Sequence, residues 1–364
     1  MSENTPVTTL EIDLGCVARN LNRVREQMNG KGVICVVKAF GYGTDDIALA
    51  KLLQKHGVEY LAVSCADEGV RLREAGVTSR ILILNPDNST FDELVENNLE
   101  PTLLSIKHLE AYVVWAEKKG LEGSPVHINI NTGMNRLGFE VSDLLEIERI
   151  IVESDLTVAT VYSHLAGSND KSLDGKTLKQ LELFDTVCSK FSFPFKRHIL
   201  NSSGVARFPD HKSDYVRVGI CLLGIDESKE EWGLEPAVSF NTIVTQVRRL
   251  SAGEGLSYRF TGAESSDREI AWLPVGYADG YPRCLGNGIG VVFIKDVYAK
   301  SVGRVCMGLV AIDVTGLGVV EGEKVELFGR NLCVMELAKK AETISYELLA
   351  RVHGRVIRTS SGGV

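Results

Sequence analysis

The chain has no run of 18 apolar residues, so no membrane-spanning helix is expected. It has no surplus of basic residues. Its formal net charge of −8 argues against the basic face that a nucleic-acid partner requires. The cysteines Cys16, Cys35, Cys65, Cys188, Cys221, Cys284, Cys306 and Cys333 contain no Cys-x-x-Cys pair. Zinc-site spacing is therefore missing, and the pattern fits reduced thiols used as small core residues in a cytoplasmic protein. No Gly-x-Gly-x-x-Gly follows the first strand-like run, which weakens the case for a dinucleotide-binding sheet. Internal repeats and low-complexity segments are also missing. Met1–Thr5 is polar and acidic, without the basic start and apolar centre of a signal peptide.

What is present is an ordinary globular composition of 364 residues, 44% hydrophobic and 24% charged. That length suits two domains, or one large barrel with an addition. Strand-like runs occupy residues 9–14, 34–39, 60–64, 80–85, 101–104, 126–131, 158–164, 198–202 and 216–223. Helical patterns lie between them, at residues 45–56, 66–75 and 142–154 among others. Such alternation predicts parallel βαβ units and a (β/α)8 barrel over residues 1–235. Beyond that point short strands separated by Gly-rich turns predict a mainly antiparallel β domain over residues 236–364. Its expected strands begin with a single run over 238–250, and helix returns only near 334–341 and 346–352. The tail at Ser360–Gly363 reads as frayed.

Lys38 is the most informative residue. It ends the apolar run Ile34-Cys35-Val36-Val37 and precedes Ala39-Phe40-Gly41-Tyr42-Gly43. Two uses of such a lysine are open. It can snorkel to water, or its desolvated amine can condense with a carbonyl. Other polar groups also follow strands: Asn131–Arg136, Ser163-His164, Asn201–Gly204 and Arg217–Ile220. In a parallel barrel all of these share the rim where chemistry is placed. Backbone N–H groups at Ser202–Gly204 and Gly219-Ile220 suit a phosphate.

Val36-Val37-Lys38-Ala39 followed by Tyr42-Gly43 resembles the cofactor-attachment segment of bacterial alanine racemases. The resemblance runs from Glu11–Leu14 and Asn20-Leu21 through Asn131–Gly138, Asn201-Ser202 and Arg217–Ile220. It continues through Gly276–Gly280 and Gly303–Met307 to Ile344–Glu347. It implies an N-terminal barrel, a C-terminal β domain and a head-to-tail homodimer in which each site is completed by the partner's β domain. It implies pyridoxal 5'-phosphate, held covalently by Lys38. Tyr42, Ser202, Gly219, Ile220 and Tyr346 match the phosphate-binding set, and His164 and Arg217 match the pair at the pyridine ring. Arg136 and Met307 match the groups that meet the substrate carboxylate, and Tyr277 matches a tyrosine on the approach to the site. Tyr258 matches a second catalytic base opposite Lys38, which implies two-base racemisation of alanine and a supply of D-alanine for peptidoglycan.

Several positions depart from the family pattern. Asn129 stands where a carbamylated Lys is frequent, and Asn131 replaces an Asp. Asn forms no carbamate, so Arg136 lacks that anion, and a bound chloride is the expected substitute. Gly308 stands where an Asp usually follows the Met, Phe40 where Asn is common, and Leu223 where Tyr is common. Similar changes near Lys38 occur in racemase halves of fused cell-wall enzymes. The rival readings are a broad-spectrum or serine racemase, a decarboxylase of basic amino acids with the same cofactor and plan, and a non-catalytic cofactor-binding protein. Arg217, where the decarboxylases place a carboxylate, and the pairing of Lys38 with Tyr258 favour the racemase.

Overall fold

The computed structural model describes residues 7–362 apart from residue 122, so the expectations for Met1–Thr5 and Gly363 lie outside the described residues. Strand β1 (Thr9–Asp13) runs directly into helix α1 (Leu14–Met28). Asp13 caps that helix by accepting from the Cys16 N–H at 2.9 Å. Leu14, Val17, Leu21, Val24 and Met28 recur at helical spacing and are buried, so one face of α1 is laid on the core. The alternating part follows: β2 (Gly32–Val36), α2 (Lys38–Tyr42), α3 (Asp46–Lys55), β3 (Tyr60–Val63), α4 (Ala66–Glu74), β4 (Arg80–Ile83) and α5 (Phe91–Glu96). It continues with β5 (Leu99–Leu103), α6 (Ile106–Lys119), β6 (Pro125–Asn129), α7 (Leu144–Glu153), β7 (Thr157–Tyr162), α8 (Asp174–Cys188), β8 (Lys196–His198), α9 (Ser202–Arg207) and β9 (Tyr215–Val218).

Strands β2 to β9 form one eight-stranded sheet in the order β8-β7-β6-β5-β4-β3-β2-β9. Neighbours are parallel throughout. The gap between β8 and β9 is bridged by backbone bonds from Asp214 N to Arg197 O and from Arg217 N to Leu200 O, each 2.9 Å. The result is the expected barrel, and it places every strand C-terminus on one rim.

The remaining strands are β10 (Val238–Ile243), β11 (Gln246–Leu250), β12 (Arg268–Leu273), β13 (Val291–Ile294), β14 (Val297–Val302), β15 (Val310–Asp313) and β16 (Lys324–Phe328). Helices α10 (Val334–Lys340) and α11 (Ser345–Ala350) precede β17 (Ile357–Ser361). They build a nine-stranded, mainly antiparallel sheet that also includes β1. β1 pairs antiparallel with β10 and parallel with β17, so residues 9–13 belong to the second sheet and not to the barrel. The same pairing orders Ser360 and Ser361, which the sequence alone suggests are frayed. The run 238–250 divides because β10 pairs with β1 and β16 whereas β11 pairs with β12. Of the cysteines, Cys16, Cys35, Cys188 and Cys221 are buried as expected, but Cys65, Cys284 and Cys333 are exposed.

Asn20 shows why the crossing between the two sheets is rigid. Its buried amide donates to Leu222 O at 3.1 Å and Glu235 O at 2.8 Å, and accepts from Glu235 N at 2.8 Å. Asn20→Leu keeps the branched outline but strands three backbone groups. It should cost about 3 kcal/mol, read as a lower midpoint of chemical unfolding. An unchanged midpoint would mean that this crossing is held by other contacts.

Candidate active site

β2 ends at Val36, and Lys38 opens a turn of unusual hand. Ala39 (φ 53°), Phe40 (φ 55°), Gly41 (φ 65°) and Tyr42 (φ 59°) are all left-handed. For residues with a side chain this conformation costs about 1–2 kcal/mol each. Compensation is local. Gly41 N donates to Val37 O at 3.0 Å and Gly43 N to Ala39 O at 2.7 Å. Glu68 on α4 accepts from Ala39 N and Ser64 N, each at 2.7 Å. The turn aims Lys38 and Tyr42 from one short segment. Burial lowers the basicity of Lys38, and the charges of Arg136 and Arg217 lower it further. An amine so placed is a better nucleophile and proton carrier than a free lysine.

Arg217, on β9, is buried in the barrel. It donates to His164 Nδ1 at 2.6 Å, His198 Nδ1 at 2.7 Å and Ser163 O at 3.0 Å. Its guanidinium also lies over the Tyr162 ring, 4.9 Å from the centroid. Both histidines are pushed well below their usual range, first by burial and then by the Arg217 charge. They are neutral, and Arg217 carries the positive charge.

The expected phosphate set converges beside them. Asn201 caps α9 by accepting from Gly204 N at 2.9 Å, which frees Ser202 to face β9. Ser202 Oγ accepts from Gly219 N at 3.3 Å. A Cβ on Gly219 would lie 2.0 Å from Tyr42 Oη, so only glycine admits the phenol here. The Tyr42 and Tyr346 rings are 5.9 Å apart, and burial raises the pKa of both phenols. Ile220 follows Gly219 in the same buried turn. Hydroxyls and backbone donors on one side, an amine of lowered basicity and a guanidinium between them fit the phosphorylated pyridine aldehyde that the resemblance implies.

Arg136 projects from an exposed loop whose shape depends on Asn131. Asn131 Oδ1 accepts from Gly133 N at 3.1 Å and Asn135 N at 3.0 Å, and its amide donates to Glu140 at 2.9 Å. The Asn therefore keeps the turn-forming role that an Asp would have. Among the described residues Arg136 has no carboxylate partner within salt-bridge distance. In the second domain Tyr258, Tyr277 and Met307 are exposed, at 70%, 44% and 61%. They share one surface: Ser257 Oγ meets Cys306 Sγ at 3.2 Å, and Ala278 N donates to Met307 O at 2.9 Å. A side chain at Gly308 would meet Arg355 Nη2 at 3.3 Å, and that guanidinium instead holds Asp279 at 2.6 and 2.8 Å.

The sequence does not single out Glu68, Glu100, His127, Thr160 or His198. The last four lie inside the barrel in hydrogen-bonded sequence. The available signal was a charged or imidazole side chain within an apolar strand, as in Val126-His127-Ile128.

Residues 12–227 match the family described as alanine racemase, N-terminal domain, and residues 237–360 match alanine racemase, C-terminal domain. The alanine racemase of Methanococcus maripaludis is 34% identical, covering 96% of this chain and 97% of its own. That of Halothermothrix orenii is 33% identical, covering 97% of each. Among solved structures, alanine racemase of Clostridium difficile 630 superposes with TM-score 0.91 at 29% identity, over 99% of this chain and 97% of that one. The Bartonella henselae alanine racemase with covalently bound pyridoxal phosphate does so with TM-score 0.91 at 27% identity, over 98% and 100%.

The packing of Tyr42 on Gly219 yields a test on the protein alone. Gly219→Ala forces the phenol out and should cost about 2 kcal/mol in chemical unfolding. Removing the hydroxyl as well, in Tyr42→Phe/Gly219→Ala, should recover part of that loss. Equal losses in the single Gly219→Ala and the double variant would place the clash elsewhere.

Proposed function

The chain belongs to the alanine racemase family, and from that membership we infer that it interconverts L- and D-alanine with pyridoxal 5'-phosphate and supplies D-alanine for peptidoglycan. The observation that carries this assignment is the buried Arg217, with neutral His164 and His198 as partners and no carboxylate in contact among the described residues, on the same rim as Lys38. A decarboxylase of the same plan would present a carboxylate there.

When bound, pyridoxal phosphate supplies an electron-withdrawing ring that acidifies the α-proton of the amino acid joined to it. Tyr42, Ser202, Gly219, Ile220 and Tyr346 would hold its phosphate. Arg217 would donate toward the ring nitrogen, and because a guanidinium keeps its proton, it would leave that nitrogen unprotonated. His164, neutral and fixed by Arg217, would lie beside the ring. Arg136 and the backbone at Met307 orient the alanine carboxylate. Lys38 Nζ carries the proton on one face, and Tyr258 Oη carries it on the other. Two bases are required because a single base returns the proton to the face it came from. After one turnover the first base has gained a proton and the second has given one up, which is the state the reverse direction needs, so the two exchange roles between L- and D-alanine.

The barrel, within residues 1–235, binds the cofactor together with Tyr346 of the same chain, and the exposed face of residues 236–364 completes the site of the partner in a cytoplasmic homodimer. Exposure of Tyr258 and Met307 on one surface supports this division, since a base facing water in a single chain has nothing to act on.

Purified protein with pyridoxal phosphate should convert either enantiomer of alanine to the racemate, and a panel of other amino acids should react more slowly. Lys38→Ala should lose the covalent cofactor detected by borohydride reduction and mass measurement. Tyr258→Phe should retain it and lose about 10²–10⁴-fold in rate, with α-deuterium effects that differ between the enantiomers. Rates unchanged in both directions would reject the two-base assignment.

The shared site has its own test. Inactive Lys38→Ala and Tyr258→Ala chains, mixed and allowed to exchange subunits, should regain about a quarter of wild-type activity, because half the dimers are mixed and each has one intact site. Exchange without recovery would mean that both halves of the site come from one chain.

A further inference from the structure

Arg217 is a buried cation that touches no acid among the described residues, yet a hydrogen-bonded path links it to one. Its Nη1 donates to His198 Nδ1 at 2.7 Å. A guanidinium only donates, so His198 accepts at Nδ1 and carries its proton on Nε2. That proton is donated to Thr160 Oγ1 at 3.1 Å. The Thr160 hydroxyl then donates to His127 Nδ1 at 2.7 Å. His127 in turn carries its proton on Nε2 and donates to Glu100 Oε2 at 3.0 Å. Taken in this order, all the donors point away from Arg217. It is the arrangement in which every member of the path has a partner. Glu100 also accepts from Arg80 at 2.6 and 2.9 Å and from Tyr60 Oη at 3.1 Å.

The strand register explains the route. Glu100 lies on β5, His127 on β6, Thr160 on β7, His198 on β8 and Arg217 on β9. His127 and Thr160 are direct register partners. Arg80, which closes the path, begins β4 at the opposite end of the barrel from Lys38. The path thus climbs one strand at a time from the barrel floor to the catalytic rim. Burial works against the ionisation of Glu100, and the hydrogen bonds from His127 and Arg80 outweigh it, so its carboxyl sits below the usual range.

We propose that Glu100 is a positioning residue for the racemase reaction, acting through His127, Thr160 and His198 as the remote counter-ion of Arg217. A carboxylate in direct contact would neutralise the cation at the ring. The relay compensates the buried charge and leaves the face of the guanidinium toward the ring free. The proposal rests on the placing of Arg217 at the ring given above.

The test reads the ring nitrogens of His198 by 15N NMR of the histidine-labelled holoenzyme. Wild type should show a neutral ring with the proton on Nε2 and Nδ1 in a strong hydrogen bond. Glu100→Gln keeps the shape and removes the charge. It should move the Nδ1 resonance toward that of a free acceptor and lower kcat on the order of tenfold in both directions, with KM little changed. Thr160→Val, which cuts the path without changing the volume, should do the same, and Thr160→Ser should recover the His198 signal. In the Thr160→Val background, Glu100→Gln should add nothing. An unchanged His198 signal in either Glu100→Gln or Thr160→Val overturns the proposal, and so does an undiminished Glu100→Gln effect in the valine background. If Glu100→Gln does not fold, the valine and serine variants still decide it. A wild-type protein without racemase activity would instead reject the functional assignment, and the imidazole signals would still test the relay.

Discussion

The burial of Arg217 with no carboxylate in contact among the described residues is the constraint on which the barrel interior depends. A (β/α)8 barrel ordinarily fills its centre with layers of branched apolar side chains. Here the centre holds Tyr60, Glu100, His127, Thr160, Tyr162 and His198, all buried. A guanidinium taken out of water needs acceptors, and a buried acceptor needs partners of its own. Once Arg217 is placed at the rim, the demand passes from strand to strand until it reaches Glu100 and the half-exposed Arg80. The polar interior is therefore one connected network. The flat face of Tyr162 against both His198 and Arg217 supplies the apolar wall that keeps water from competing.

Close backbone approach is the second constraint. The left-handed turn after β2 brings Lys38 and Tyr42 to the rim from adjacent residues, at a conformational cost that Glu68 and the backbone bonds offset. The Tyr42 phenol then occupies the space that any side chain at Gly219 would take. Gly43 is bound by the same geometry, since a Cβ there would lie 2.2 Å from Leu349 O. α11, which carries Tyr346, is thereby pressed onto the barrel rim, and the second domain places a ring beside Tyr42 of its own chain. Tyr258 and Met307 of the same domain remain exposed.

Much of this was legible in the chain. Alternating runs identified a parallel barrel because buried parallel strands are short and apolar and their crossovers are amphipathic. The change of texture near residue 235 marked the second domain because antiparallel strands need only turns between them. Lys38, Tyr42, Ser202, Arg217, Gly219 and Tyr346 were nameable because each carries a group that packing alone does not explain, in a known order. The tertiary structure brings them together at one rim.

Other features were decided only by the fold. That β1 joins the second sheet depends on β10 and β17, which lie more than 200 residues away, and no local pattern encodes a partner at that distance. The left-handed turn runs through Ala39 and Phe40, residues with no preference for positive φ, so only tertiary contacts impose it. The path from Glu100 to Arg217 joins five strands whose polar residues look unrelated in sequence. The residue types were present from the start. Only barrel closure put an obligate donor, Arg217, at one end of them and an acceptor, Glu100, at the other.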